Sequence, residues 1–499
     1  MTTITSPATP QARAAIGRPP SPESQERVSE LLEQLETLAA SPGRRDEPSA
    51  ITALRQEATD HFRREGLPTT RMEAWRFTNP ALAVRARTRP APRRSIDELT
   101  AAERGSLQAL LLPGCRNVLV LDGFPVEGLD DAGFSGAVRV RSLAASWGQL
   151  EVGESGLGGL ARPAGPLTNA FALLNTAFFA DGILIEAADR GEAPEPIHLL
   201  HLVSAGDRQE DLDADGVVPA IYPRTLIRAG AASQLTVIES YASLGDQRAV
   251  VCPVTEIYCG SGAALRHYRV TRESDGVLHL ATQHLRLERD ASASSLQLSW
   301  GGDLVRCDVH ALLAGEGSDC VLDGLYLVGG RQHFDTHMRV EHLAPRCNSH
   351  ELYKGVLDGA AHGVFDGRIY VHRSAQKTDA KQTNRNLLLS DRAVANSNPQ
   401  LEIFADDVKC THGSTVGQLE PEALFYLRSR GLDREAARSL LTYAFASELL
   451  SRIAVQPLRE VAEAVLADRL TGGEVVGELR QPLPAETLPA ETLPAEPAP

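Results

Sequence analysis

The sequence predicts a mainly β protein whose core is a solenoid of stacked strands, held between a helical region at each end. Three observations lead there. Turns rich in Gly, Ala, Ser and Asp recur through the middle of the chain at steps near 30 residues. Each turn opens into a short strand of alternating apolar and polar residues. Before about residue 115 and after residue 420 the apolar spacing becomes helical.

In chain order, residues 1–20 hold Thr, Ser, Arg and no acid. That composition resembles an organelle transit peptide and lacks the apolar stretch of a secretory signal; a disordered bacterial N-terminus is the preferred reading. Residues 21–115 read as a helical region. Ser21-Pro22 is a helix start, with Pro at the first helical position, and Val28, Leu31, Leu32, Leu35 and Leu38 follow at helical spacing. Ile51, Leu54, Ala58 and Phe62 form a second pattern that stops at Gly66, a C-terminal cap. A Pro/Arg-rich connector near 88–94 leads to a further helix predicted over Ile96 to Leu112. Residues 116–194 are a mixed connecting region.

The solenoid is expected over 195–420. Gly-Ala-Ala-Ser-Gln-Leu ends at Leu235, Gly-Ser-Gly-Ala-Ala-Leu at Leu265, and Asp-Ala-Ser-Ala-Ser-Ser-Leu at Leu296; a looser copy ends at Val321. A period of this size built from strands and tight turns marks a solenoid, in which each rung buries its face only against its neighbours. A jelly roll or sandwich of evenly spaced strands is the competing fold.

Residues 421–475 turn helical again. Pro421 starts a helix carrying Phe425 and Tyr426, and Arg430-Gly431 stops it. Asp433 caps a second helix, with Leu440, Leu441, Ala444 and Phe445 expected on one face. Leu458, Val461, Ala462, Val465 and Leu466 mark a third. Residues 476–499 repeat Leu-Pro-Ala-Glu without an aromatic residue, and are expected to be extended and disordered.

Composition narrows the function. With 65 Asp+Glu against 50 Lys+Arg, the balance argues against nucleic acid as a partner. No run approaches the roughly 20 apolar residues of a membrane span. Seven cysteines without a C-x-x-C pair suit a reducing compartment and mostly buried, inert thiols. Walker A, G-x-S-x-G and H-E-x-x-H motifs are all missing, which favours a scaffold over an enzyme. All four lysines (Lys354, Lys377, Lys381, Lys409) fall between 354 and 409 in a chain otherwise using Arg. That window is read as having specific demands on its cations.

Two constellations could carry chemistry. In His333-Phe-Asp-Thr-His-Met-Arg-Val-Glu-His342, strand alternation puts His333, Asp335, His337, Arg339 and Glu341 on one face and Phe334, Met338 and Val340 in the core. The His-x-Asp-x-His ladder suits a first-row metal, but a solvated or partner-facing strand is the preferred reading. In Asp406-Asp-Val-Lys-Cys-Thr-His412, Cys410 and His412 share one strand face. On spacing alone they read first as a buried thiol beside a hydrogen-bonded imidazole. As ligands they suit iron or a nascent iron–sulfur cluster, and protonated Lys409 and His412 would lower the thiol pKa.

The longer stretches around these residues carry a resemblance. Pro399-Gln-Leu-Glu-Ile-Phe-Ala-Asp-Asp-Val-Lys-Cys-Thr-His-Gly-Ser-Thr-Val-Gly417 and Leu424-Phe-Tyr-Leu-Arg-Ser-Arg-Gly431 resemble the C-terminal part of the SufB/SufD family of iron–sulfur cluster assembly proteins. So do Tyr353-Lys-Gly-Val-Leu357, Val364-Phe-Asp-Gly-Arg368, Ala375-Gln-Lys-Thr-Asp-Ala-Lys-Gln382 and Asn386-Leu-Leu-Leu-Ser-Asp391. Arg71-Met-Glu-Ala-Trp-Arg-Phe-Thr78 is similar to a stretch of the SufD branch. The match is dense over roughly 335–455 and thin between 80 and 220.

The resemblance implies a right-handed parallel β-helix and a complex of SufB, SufD and two copies of the ATPase SufC. It places His412, with Cys410 beside it, at the SufB interface as a transient iron or cluster ligand. It implies SufC docking at about 421–455, with Phe425, Tyr426, Arg430, Leu440 and Phe445 as partner-binding residues. It further implies a non-catalytic, cytoplasmic subunit (or one of the plastid stroma), linked indirectly to the cysteine desulfurase system. No stably bound cofactor is expected, only a transient cluster between SufB and SufD, with a flavin in the complex left open. A SufB-type chain and a β-helix carbohydrate-active enzyme are the alternatives.

Overall fold

A computed structural model describes residues 22–41, 44, 47–126, 136–153, 156–161, 169–204 and 216–470. The disorder expected over 1–20 and in the repeat tail 476–499 lies outside the described residues.

The chain winds into a parallel β-solenoid of about seven turns, with helices at both ends. Successive rungs give strands alternately to two sheets. The first sheet runs from Val138–Ser142 and Ile183–Ala187 through Gly276–Leu287, Leu304–Leu313, His333–His342 and His362–Val371 to Val394–Ile403. The second runs from Arg116–Leu121 and Ile197–Val203 through Gln234–Ser243, Ala264–Arg272, Ser292–Ser299, Asp319–Val328, Asn348–Leu357 and Asp379–Leu388 to Lys409–Gly417. The segment 116–194 thus already supplies strands to both sheets.

In-register parallel pairing stacks like positions into columns, and strand alternation sends every second column into the lumen. One inward column runs Leu235, Leu265, Ala293, Cys320, Ser349, Ala380 and Cys410. The repeat read from the sequence therefore slips in its later copies. Leu296 pairs with Tyr268, and Val321 with Ser294. The register follows the small residues, Ala293 and Cys320, that fill the corner just after each turn, and the wording of the turns only tracks it approximately.

Both N-terminal helices form as expected. Pro22–Ala39 buries Leu31 and Leu35; Ser49–Glu65 buries Ile51, Leu54, Ala58 and Phe62 and ends at Gly66, whose φ of +70° suits only glycine cheaply. The helix predicted over Ile96 to Leu112 is interrupted, leaving a short turn at Ile96–Glu98 and a helix at Ala101–Leu110. The break is a capping box. The Thr100 hydroxyl accepts from the Glu103 amide at 3.2 Å, and the Glu103 carboxylate accepts from the Thr100 amide at 2.7 Å. Within the connector, Arg87–Pro90 is a strand paired in parallel with Val217–Ile221.

The C-terminal unit, from Leu419, contains helices Pro421–Ser429, Arg434–Leu450 and Gln456–Arg469. The second buries Ala436, Ala437, Ser439, Thr442, Ala446, Leu449 and Leu450. The face expected from Leu440, Leu441, Ala444 and Phe445 is not the buried one: Ala444 is exposed and the other three are half-buried. Small side chains let this helix approach its neighbours closely, which turns the bulky ones outward.

Candidate functional site at the open end of the solenoid

Both sheets end together. Lys409–Gly417 pairs with Asp379–Leu388, and Val394–Ile403 with His362–Val371; among the described residues no further strand covers their outer edges. Register places Cys410, His412, Ser414 and Val416 directly above Ala380, Gln382, Asn384 and Asn386, all buried or nearly so. The four residues thus continue inward columns that have run out of rungs. Cys410 is half-buried and His412 exposed. Around them the last strands and their turn expose Val394, Ile403, Phe404 and Val416, an apolar rim of the kind that marks an interaction surface.

Cys410 and His412 are brought onto one face as the alternation predicted. The thiol differs from expectation. Burial and then the Asp379 carboxylate push the Cys410 thiol up, with the Ala380 backbone opposing. Lys409 does not help because alternation sends it to the outer face. A metal bound by such a thiol would displace its proton, which would couple binding to proton release.

The lumen beneath is polar. Gln382 and Glu351 are the next two members of the His412 column. Burial, reinforced by Asp323 and opposed by the Ser349 hydroxyl, raises the Glu351 carboxyl to about 8. Beyond that Ser349 hydroxyl the Glu351 carboxyl finds no hydrogen-bond partner among the described residues, and neither polar atom of the Gln382 amide finds one. Sequence reasoning singled out neither residue. The usable indication was that Ser349, Glu351 and Tyr353 occupy alternate positions in phase with the core residues Cys320 and Leu322.

The His333–His342 ladder is a different kind of place. Phe334, Met338 and Val340 face the core as predicted, but on the opposite face His333, His337, Arg339 and Glu341 are half-buried rather than exposed. Asp335 is fully buried beneath the Trp75 segment. The Thr78 hydroxyl donates to it at 2.5 Å, Arg306 pairs with it at 2.7 Å, and His337 lies at 3.2 Å. The Arg306 guanidinium also sits 4.0 Å over the Trp75 ring. Burial would raise the Asp335 carboxyl, but His337 and Arg306 hold it well below the usual range. Among the described residues no group of three His, Cys, Asp or Glu side chains is arranged to hold a metal ion. The ladder is a latch that fastens the N-terminal region to the solenoid.

The remaining sequence candidates scatter. Lys354 is buried, Lys381 and Lys409 are exposed, and Lys377 pairs with Asp407 in solvent, so the lysine window is not one cationic site. Five of the seven thiols are buried; burial pushes Cys259 up to about 12 and Cys307 to about 11, as inert core thiols require. On the C-terminal helices, Phe425 and Tyr426 are 74% and 57% exposed. Arg430 lies 5.2 Å over the Tyr426 ring, and Leu440 and Phe445 are half-buried.

A family model described as the SufBD core domain of SUF-system FeS cluster assembly matches residues 212–445. The chain is 31% identical over 446 residues to the iron–sulfur cluster assembly protein SufD of Escherichia coli K12, spanning 89% of this chain and 98% of that protein. It is also 31% identical over 449 residues to an iron–sulfur cluster assembly SufBD family protein of Synechocystis, spanning 87% and 94%. With a chloroplastic protein of Arabidopsis thaliana it shares 30% identity over 285 residues, spanning 56% and 59%.

Proposed function

The chain belongs to the SufB/SufD family of SUF-system iron–sulfur cluster assembly proteins, as a SufD-type member, and from that premise we propose that it is a cytoplasmic scaffold subunit without turnover of its own. It pairs with SufB across the terminal rung and with the ATPase SufC through the helices of 421–469. The carrying observation is the open end of the solenoid, where Cys410 and His412 cap inward columns inside a rim of exposed apolar side chains. An unpaired strand edge invites another strand, and a partner seated there would enclose both residues. Iron and sulfide are the cargo. The thiol supplies a soft ligand once deprotonated and the imidazole a second.

SufC docking is supported by Phe425 and Tyr426, too large and too exposed to be idle on a stable helix, with Arg430, Leu440 and Phe445 flanking them in sequence or half-exposed. ATP-driven movement of SufC then acts on these helices. Supply of sulfur from a cysteine desulfurase system fits the same scheme.

The test is co-purification of this chain with SufB and SufC followed by anaerobic reconstitution. The complex is expected to gain an iron–sulfur absorption band that His412→Ala abolishes or reduces at least tenfold. A His412→Ala complex that assembles clusters at the parental rate would remove the central claim. Deleting 421–469 is expected to abolish SufC binding and spare SufB binding.

A further inference from the structure

Among the described residues the buried amide of Gln382 has no hydrogen-bond partner for either polar atom, and the buried Glu351 carboxyl, one rung further in, has none beyond the Ser349 hydroxyl. Leaving such groups unpaired is destabilising, and a native chain that keeps them calls for an explanation. Gln382 is moreover given a seat. A Cβ on Gly367, across the lumen, would stand 2.5 Å from Gln382 Nε2, 2.7 Å from its Cδ and 2.8 Å from its Oε1. Only the bare backbone of glycine lets the amide lie there. Gly367 and Gln382 come from two separate stretches, Val364–Arg368 and Ala375–Gln382, and the fold brings them together just below the terminal rung.

A histidine that gives one ring nitrogen to a metal leaves the other N–H in need of an acceptor, and the acceptor fixes both tautomer and orientation. Parallel rungs stack about 4.8 Å apart, so Gln382 is the side chain immediately beneath His412. Once a partner covers the rung and excludes water, it is the acceptor remaining in that column on this chain.

We infer that Gln382 is the positioning residue for His412: its amide oxygen accepts the ring N–H that faces away from the cargo, and its amide N–H is received by Glu351 behind it. The imidazole, the amide and the carboxyl form one stack, and Gly367 keeps the middle member in line. This inference rests on the reading of His412 as a ligand, and the experiment separates the two.

The full chain, complexed with SufB and SufC, is titrated anaerobically with Co²⁺ as the probe, reading affinity from the visible bands and the His412 tautomer from ring nitrogen shifts of ¹⁵N-histidine-labelled protein. Gln382→Leu should weaken Co²⁺ binding about tenfold or more, move the bands and change the tautomer. Gln382→Glu, which keeps an acceptor in place, should restore both. Gly367→Ala displaces the amide without removing it and should shift tautomer and affinity in the same direction; it carries the test if Gln382→Leu does not fold. Parental affinity and tautomer in both Gln382→Leu and Gly367→Ala would overturn the positioning role, while loss of binding in His412→Ala alongside would leave the ligand reading intact. Unchanged Co²⁺ binding in His412→Ala would overturn the ligand reading and this inference with it.

Discussion

In the early rungs the buried carboxylate of Glu239 meets His267 at 3.0 Å, the Thr255 hydroxyl at 2.9 Å and Arg269 at 3.7 Å. In the late rungs the buried carboxyl of Glu351 meets no cation among the described residues, only the Ser349 hydroxyl. Burial would raise Glu239, yet His267 and Arg269 hold it well below the usual carboxylate range; burial raises Glu351 to about 8, against the Ser349 hydroxyl alone. The same side chain in the same kind of lumen is thus a charged structural node at one end and a neutral, unspent group at the other. The Glu239 carboxylate finds its partners within the chain. The Glu351 carboxyl lies at the other end, towards the open rung.

The sharpest way to break this comparison is to remove the early node. Glu239→Ala should lower unfolding stability by about 3–5 kcal/mol, because it strands the buried Arg269 guanidinium and leaves the buried His267 ring without its carboxylate partner; denaturant unfolding at pH 7 measures it. A loss below about 1 kcal/mol would mean that the early network is as dispensable as the late one.

Glu351→Gln should do the reverse. The folded carboxyl titrates near 8 and the unfolded one near 4.5, so the unfolded state sheds its proton first as pH rises. Stability is lost from pH 4.5 up to 8, and the neutral amide escapes that loss. The variant should gain about 3 kcal/mol over the parent at pH 7 and nothing near pH 4.5, as thermal melts across that range would record.

The early rungs should fail on the acid side instead. Burial lowers His201 to about 4, helped by Arg269 and His279 and opposed by Glu239. The unfolded residue protonates near 6.5, so stability falls as pH drops from 6.5 to 4, by about 3 kcal/mol for this residue. His201→Gln should flatten the fall in the same melts. The smallest effect is expected at the site itself: exposed His412→Ala should change stability by less than about 0.5 kcal/mol, so that any functional loss is not a folding loss.

Much of this architecture could be read from residues alone. Alternation within His333–His342 assigned Phe334, Met338 and Val340 to the core correctly, because a strand has only two faces. It could not say that Trp75 and Thr78 would roof the other face, since alternation gives a direction and not what lies along it. The turn repeat disclosed the solenoid but misplaced Leu296 by three residues, because side-chain volume at the corner sets the register. Cys410 and His412 were visible as a pair on a strand. Gln382 was not, because what distinguishes it is the vacancy of Gly367 across the lumen, a relation between strands that only the winding creates.

A stack of rungs has nearest neighbours and little else, so its opening is a one-dimensional process that begins at an unsupported end. The last rung, braced from one side, should be the first to fray and the fastest to exchange its amide hydrogens. Cys410 and His412 would ride on that fraying layer until the proposed partner docks. If the proposed function holds, readiness to hold metal would be a property of the complex, and an orphaned chain would offer stray iron only a loosely ordered pair of ligands.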